Sequence, residues 1–135
     1  MFPSKIRIIT LLNSVINETA LLQEMSKDIN TPDDFVTSMS GMVVFRACGM
    51  SLQFSTENLV KIRNLCGMDF FKSYKEVPWN SVFGMRNFLA HEYGNVDTEG
   101  IFNTVKTHIP VLHEVAVRML ADIQTGKLDQ FFSEQ

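Results

Sequence analysis

Apolar residues recur along most of the chain at steps of three and four residues, the spacing of one helical face. In the first such stretch they are Ile8, Ile9, Leu12, Val15, Ile16 and Leu22. This spacing predicts a first helix over about residues 4–27. No pair of alternating apolar stretches joined by a hairpin turn stands out. The pattern therefore predicts an all-α protein.

A second helix is predicted from Thr31 to about Leu65. Thr31 is a good N-cap residue, Pro32 suits the first helical position, and the two aspartates that follow favour the positive end of the helix dipole. Gly41 and Gly49 lie inside this stretch. Each costs about 1 kcal/mol relative to alanine, so each indicates a kink or a close approach between helices.

Residues 42–50, MVVFRACGM, are apolar on nearly every side of the predicted helix apart from Arg46. A helix that is apolar all round needs packing partners on all of its faces. We therefore expect this segment to pack in the bundle core and also in an interface between two copies of the chain.

Two further helices follow a loop that is predicted over residues 67–77, with one helical turn inside it. Pro78 opens the third helix, which Gly94 ends, and Asp97 caps the fourth. We expect Pro110 to kink the fourth helix, because proline lacks an N–H and collides with the preceding turn. The predicted architecture is an antiparallel four-helix bundle.

Length and composition fit one domain over residues 1–135, with a core over about residues 4–123 and a short tail over residues 124–135. Hydrophobic residues make up 45% of the chain, an ordinary globular proportion. Phe131 and Phe132 could dock the tail. A chain of this size leaves much of its surface exposed, so burial in a homodimer would help.

Charge and cysteine content narrow the possible functions. The net charge is −3, from 12 basic and 15 acidic residues, which argues against non-specific coating of nucleic acid but allows a local basic groove. Cys48 and Cys66 lack zinc or redox spacing, so we expect buried, reduced thiols. No signal peptide and no apolar run near the ~20 residues of a membrane span stand out. We expect a cytoplasmic protein with no membrane partner.

The candidate functional residues are four polar side chains in the third helix, namely Arg86, Asn87, His91 and Tyr93. At about 100° per residue, Asn87 and His91 share a helical face, and Arg86 nearly aligns with Tyr93. Arg86 and His91 are offset by about 140°, so one ideal helix does not point both at the same atom. Either the helix loosens near His91, or a second copy of the chain completes the site.

These residue types suit cleavage of RNA, whose own 2′-hydroxyl is the nucleophile. Histidine titrates near neutral pH and can take the hydroxyl proton, and arginine can stabilise charge on phosphate oxygens. Asn87 could orient His91 or bind phosphate, and Tyr93 could stack on a base. No metal site is predicted, because His108 and His113 are poorly spaced for one ion. From the residues alone, a paired arginine and a histidine favoured by the helix dipole remain the more ordinary interpretation.

The third helix also carries a family resemblance. Residues 86–93, RNFLAHEY, contain R-x-x-x-x-H-x-Y, and residues 78–97 resemble the PW…GMRN.L.HEY..VD segment of HepT-type proteins in the HEPN superfamily. The resemblance extends more loosely over residues 4–123. It implies an all-α HEPN bundle that forms a homodimer, with the motif helix at the dimer cleft.

The resemblance further implies a metal-independent endoribonuclease toxin that needs no cofactor and leaves 2′,3′-cyclic phosphate and 5′-hydroxyl ends on RNA. Arg86 and His91 would be catalytic, and Asn87 and Tyr93 would be supporting residues that hold the site geometry or contact the substrate. An MntA-type nucleotidyltransferase antitoxin would neutralise the toxin by AMP transfer to Tyr93, giving O-AMP-tyrosine whose phosphate repels RNA. The alternatives are a non-catalytic partner or acceptor subunit of such a transferase, and a purely structural dimer.

The chain departs from the family pattern in the second helix, where relatives often carry a glutamate and this chain has Gln53. Arg46 aligns loosely with a family arginine, so it is either a supporting cleft residue or a bundle arginine that reaches solvent. We expect Trp79 and Phe83 to be core anchors and Gly84 to permit close packing at the dimer interface.

Overall fold

The computed structural model describes the backbone of residues 2–92 and 97–133, and the side chains in those ranges apart from those of residues 90–92. This part of the chain is helical and holds no β-strand, as the periodicity predicted. Its α-helices are α1 (Lys5–Met25), α2 (Met39–Cys66), α3 (Trp79–Glu92), α4 (Thr98–Asn103) and α5 (Ile109–Gln124).

α1 begins directly after its N-cap residue, Ser4. The Ser4 hydroxyl accepts a hydrogen bond from the Arg7 backbone N–H at 3.2 Å, which satisfies one of the free amides of the first turn. The apolar face of α1 is buried, and α1 packs against both α2 and α5. The predicted bounds of this helix are confirmed to within two residues.

The predicted start of the second helix at Thr31 is wrong. Thr31 and Asp34 form a capping box, but it begins a single 3₁₀ turn over Pro32–Phe35, and α2 begins only after Ser38. The Ser38 hydroxyl accepts from the Gly41 N–H at 2.9 Å, so a second cap competes with the first. A side chain at Gly41 would overlap the Asp34 carbonyl, so the fold-back between the two caps depends on glycine there.

The connection between α2 and α3 contains the predicted helical turn, a 3₁₀ helix over Met68–Phe71. Phe71 contacts both Trp79 and Phe83 of α3, with ring centroids 4.6 Å and 5.3 Å away. Trp79 and Phe83 are buried, which confirms them as core anchors. They fix the start of α3 against the bundle, because large aromatic side chains bury much apolar area.

The fourth predicted helix is continuous but irregular. The Asp97 carboxylate caps α4 by accepting from the Glu99 N–H at 3.0 Å, as predicted. A π-helical turn over Thr104–His108 then joins α4 to α5, and Ile109 donates its N–H to the carbonyl of Thr104, five residues back. Pro110 explains this widening, because its ring needs space against the preceding turn and it donates no hydrogen bond.

The helices enclose one apolar cluster. Its fully buried large side chains come from α1, α2, α5 and both connecting turns, and include Phe35, Phe70, Phe71, Ile8, Leu12, Leu22, Leu52, Leu59, Ile62, Met119 and Ile123. The C-terminal segment docks through the buried Phe132, whose ring lies 6.1 Å from that of Phe70. In the described part of the chain, no helix has both the length and the apolar character of a membrane span.

Candidate functional site

α3 places the first two motif residues side by side at the protein surface. The Arg86 side chain is half-buried and the Asn87 side chain is exposed. Arg86 donates from Nη1 to Asn87 Oδ1 at 2.9 Å. The amide therefore holds the guanidinium in place without neutralising its charge, and among the described side chains no further acceptor for its donors is seen.

The other two motif residues can be placed only in part. The backbone of α3 remains α-helical through Glu92, so position 91 lies one turn beyond Asn87. The His91 side chain and the whole of Tyr93 lie outside the described residues. Because α3 does not unwind before its end, the loosened-helix alternative for bringing Arg86 and His91 together finds no support in the backbone.

α2 supplies a second guanidinium to the same region. The Arg63 guanidinium carbon lies 4.8 Å from the centroid of the Phe83 ring, within the range of a cation–π contact. Its Nη2 donates to Asn64 Oδ1 at 3.1 Å. Phe83 precedes Arg86 by nearly one turn of α3, so Arg63 packs against the turn beneath Arg86. The sequence analysis missed Arg63, because no local pattern shows a contact between residues twenty positions apart.

The guanidiniums of Arg63 and Arg86 are not neutralised by any described carboxylate. Among residues whose side chains are described, no carboxylate lies within ion-pairing distance of Arg63 or Arg86, whereas Arg118 pairs with Glu76 at 2.5 Å and Lys5 pairs with Asp129 at 2.8 Å. The described side chains therefore offer Arg86 no acidic partner of the kind that its ordinary interpretation requires, and the Glu92 side chain lies outside them. Two guanidiniums that have no described carboxylate partner, one on Phe83 and one on the next turn of α3, favour binding of an anion such as phosphate.

α3 also presents an uncovered face. Its exposed residues follow helical spacing and are Asn80, Ser81, Gly84, Asn87 and Phe88. A Cβ at Gly84 would meet nothing within 4 Å, so this face is open in the single protomer. The expectation that Gly84 permits close packing at a dimer interface stays a prediction.

α2 carries an exposed apolar stripe, which we call the α2 stripe. It consists of Met39, Val43, Met50 and Phe54, all exposed and spaced so that they share one helical face. Arg46 is exposed among them, and this exposure does not distinguish a supporting cleft residue from an arginine that reaches solvent. Within the segment 42–50, Cys48 and Gly49 are buried, which confirms the predicted core contact, while the predicted interface contact remains untested.

Histidines and cysteines outside the motif have structural surroundings. His113 is half-buried, and its Nδ1 lies 2.8 Å from Thr19 Oγ1 and links α5 to α1, while His108 is exposed. Cys48 is buried as predicted, whereas Cys66 is only half-buried, and burial raises the pKa of both thiols to about 11, which disfavours the reactive thiolate. Within the described ranges, no group of three or more His, Cys, Asp or Glu side chains is arranged to hold a metal ion.

Comparison with known proteins gives a consistent family. The model of the family described as "Ribonuclease HepT-like" matches residues 15–119. A protein from Caldanaerobacter subterraneus subspecies tengcongensis, named as a candidate RNase, is 32% identical over 109 residues, which are 81% of this chain and 90% of that protein. A Thermococcus cleftensis protein named "Probable ribonuclease HepT" is 30% identical over 101 residues, covering 75% of this chain and 84% of that protein.

One relative is much longer than this chain. It is a Methanocaldococcus jannaschii protein whose name joins a gamma-glutamylcyclotransferase to a candidate RNase, and it is 30% identical over 122 residues. The aligned region covers 89% of this chain but 50% of that relative. No solved structure matches the chain.

Proposed function

The chain belongs to the HepT-like ribonuclease family of the HEPN superfamily, and on this premise we propose that it is a metal-independent endoribonuclease that acts as the toxin of a toxin–antitoxin pair. The observation that carries this proposal is the state of Arg86: a guanidinium fixed by the neighbouring Asn87 amide at 2.9 Å, unpaired with any described carboxylate. Such a group is prepared to receive the phosphate of an RNA chain.

The chemistry uses the 2′-hydroxyl of RNA as nucleophile. His91, as base, takes the proton of that hydroxyl, and the 2′-oxygen attacks the adjacent phosphorus. Arg86 stabilises the negative charge that develops on the phosphate oxygens. The bond to the 5′-oxygen breaks, and that oxygen receives a proton from an imidazolium. The products are a 2′,3′-cyclic phosphate and a 5′-hydroxyl, and the protons balance without a metal ion or cofactor.

We propose that the active form is a homodimer. An offset of about 140° separates Arg86 from His91 on a regular helix, so a single copy does not aim both at one phosphate. A two-fold partner can supply the missing group. The α2 stripe offers apolar surface for such an interface, and the exposed face of α3 adds Phe88, which is 49% exposed in the protomer.

The proposed partner is an MntA-type nucleotidyltransferase antitoxin that transfers AMP to Tyr93. Tyr93 follows His91 by two residues, so a nucleotide attached there would add bulk and negative charge beside the catalytic groups. Negative charge placed against Arg86 would compete with the RNA phosphate for the same donors. In this arrangement, a single modification blocks RNA binding without unfolding the protein.

The test is RNA cleavage by the purified chain in the presence of EDTA. We expect wild-type protein to produce fragments that end in cyclic phosphate. Loss of His91 in His91→Ala should slow cleavage by about 10²–10⁴-fold, the usual contribution of a general base. Loss of Arg86 in Arg86→Ala should slow it by about 10²–10³-fold. Arg7→Ala, which removes an exposed arginine of α1, is the matched control and should cleave like wild type.

A different outcome would support a different function. If the wild-type chain leaves RNA intact in EDTA but binds a nucleotidyltransferase and accepts AMP on Tyr93, it is a non-catalytic acceptor subunit. If His91→Ala cleaves at the wild-type rate while remaining folded, the assigned base is wrong.

A further inference from the structure

The bundle contains a cavity that the proposed reaction does not use. Its volume is about 370 Å³, within the range of small-molecule and nucleobase sites. α2, the start of α3 and the π-helical turn before α5 form its walls. The wide turn over Thr104–His108 contributes both of its end residues to the lining. The widened turn before Pro110 therefore also forms part of the cavity wall.

The walls of the cavity are mostly aliphatic. Val82 and Met85 line it from α3, and Ile109 and Leu112 line it from α5. Flat aliphatic surfaces that come from two different helices suit a planar ring inserted between them. Among the described lining residues there is no lysine or arginine, and the Glu76 carboxylate is paired with Arg118. A phosphate group is therefore disfavoured inside, and a neutral ring is favoured.

Hydrogen-bonding groups interrupt these apolar walls. The Ser55 hydroxyl is fully buried in the wall and has no hydrogen-bond partner among the described atoms. Because the Ser55 side chain has no exposed surface, a ligand atom reaches its oxygen only if the wall shifts, so the exposed polar groups of the lining are the ones that contact a ligand directly. Asn103 and His108 add an amide and an imidazole, and the 3.4 Å between Asn103 Nδ2 and His108 Nε2 makes their mutual contact weak. A heteroaromatic ring with donors and acceptors around its edge fits this set.

The cavity opens beside the motif helix. Val82 precedes Arg86 by four residues, which is about 6 Å along the axis of α3. An RNA chain whose phosphate is bound by Arg86 can therefore extend a neighbouring nucleotide along α3 toward this opening. Ser81, on the exposed face of α3, forms part of the lining at that edge.

We propose that this cavity is a base-recognition subsite, which takes one unstacked nucleobase of the RNA near the scissile phosphate and gives the enzyme its sequence preference. The inference rests on the proposed ribonuclease function. The sugar and phosphate stay outside at the guanidiniums of α2 and α3, and the base enters between the aliphatic walls. The Asn103 amide and the His108 imidazole, both exposed at the cavity, read the edge of the base.

The test compares two tryptophan variants of α5. Val111 lines the cavity and is 41% exposed, so Val111→Trp fills the opening from a surface position without disturbing the core. Val117 lies on the same helix, is 45% exposed and is not part of the lining, so Val117→Trp is the matched control. The substrates are short RNAs that differ only in the bases on either side of the cleavage site, and kcat/KM is measured for each.

We expect the wild-type chain to prefer one base at one of these positions by about tenfold or more, as a shaped pocket allows. Val111→Trp should reduce this preference to within about threefold by slowing the preferred substrates, and Val117→Trp should keep it. Equal preference in wild type and Val111→Trp, or no preference in wild type, would overturn the proposal.

A binding measurement separates this proposal from the failure of the ribonuclease itself. The methyl group of Met85, labelled with ¹³C and assigned through Met85→Leu, reports on the cavity while adenosine, guanosine, cytidine or uridine is added. If wild-type protein does not cleave RNA, the Met85 methyl signal still tests whether the cavity binds a nucleobase. In that case the ribonuclease has already failed, and a shift with one nucleoside that Val111→Trp abolishes still supports the cavity as a base site. No shift with any of the four overturns the cavity proposal as well.

Discussion

Truncation of Met50 in the α2 stripe tests the proposed homodimer most directly. In the protomer this side chain is 76% exposed. Fully burying a methionine side chain contributes about 1.5–3 kcal/mol, so covering Met50 at an interface contributes roughly 1–2 kcal/mol. A two-fold interface contains each residue twice. Met50→Ala should therefore weaken the dimer by roughly 2–4 kcal/mol, which is about 30- to 1000-fold in its dissociation constant.

The assay is sedimentation over a range of protein concentrations, together with thermal unfolding at a concentration where both proteins are monomeric. Ile6 on α1 is the matched control, because it is a large apolar side chain with 77% exposure outside the α2 stripe. Ile6→Ala should leave the dissociation constant within about twofold of wild type, since surface changes away from an interface have small effects. Both variants should unfold like wild type as monomers.

Two results would refute the assignment of the interface to the α2 stripe. One is an unchanged dissociation constant for Met50→Ala, which would show that the α2 stripe is not covered by a second copy. The other is equal weakening by Ile6→Ala, which would place the interface on α1. A wild-type chain that sediments as a monomer at all concentrations would remove the proposed homodimer itself.

Three further predictions concern stability and reactivity. Gly41→Ala should lower the free energy of unfolding by about 1–3 kcal/mol, because the new Cβ would overlap the Asp34 carbonyl. Gly100→Ala is the control and should not lower it, because a Cβ there meets nothing within 4 Å. Urea unfolding measures the free energy of both variants. Hydrogen bonds from the backbone N–H groups of Asn30 and Thr31 lower the pKa of Asp34 from its ordinary value of 3.8. The ionised Asp34 carboxylate therefore stabilises the fold above pH 3.8, and this stabilisation is lost as the pH falls through the lower pKa of the folded state. The difference in urea midpoint between wild type and Asp34→Asn should therefore shrink from pH 7 toward pH 3, and a difference that grows would contradict this assignment. Cys48 should resist iodoacetamide at neutral pH until the protein is unfolded in urea, as mass spectrometry of the alkylated peptide would show, because burial raises its pKa to about 11.

The elements that local sequence specifies were predicted with little error. Ser4 and Asp97 provide their caps within three residues of their own position, and the apolar spacing of α1 gives the face that is buried. These features depend on contacts between near neighbours along the chain. The motif of α3 is also local, so Arg86 and Asn87 could be singled out before any geometry was known.

The start of α2 shows where local reasoning fails. Thr31 is a sound cap by every local criterion, yet its helix lasts one turn. The start of α2 is determined by Gly41, which packs against the Asp34 carbonyl and lets Ser38 form a second cap. Two caps that compete for one helix differ by little in their own energies, so packing between them decides.

The amino-acid sequence by itself determined the helical class, most helix boundaries, the family and the candidate motif, because these follow from residues close together in the chain. Only the tertiary structure decided that Arg63 stacks on Phe83, that Thr19 bonds His113 and that Ser55 is buried in the wall of a cavity with no partner among the described atoms. Those contacts join positions on different helices. Their partners are fixed by how whole helices pack, and no spacing within a single helix encodes that arrangement.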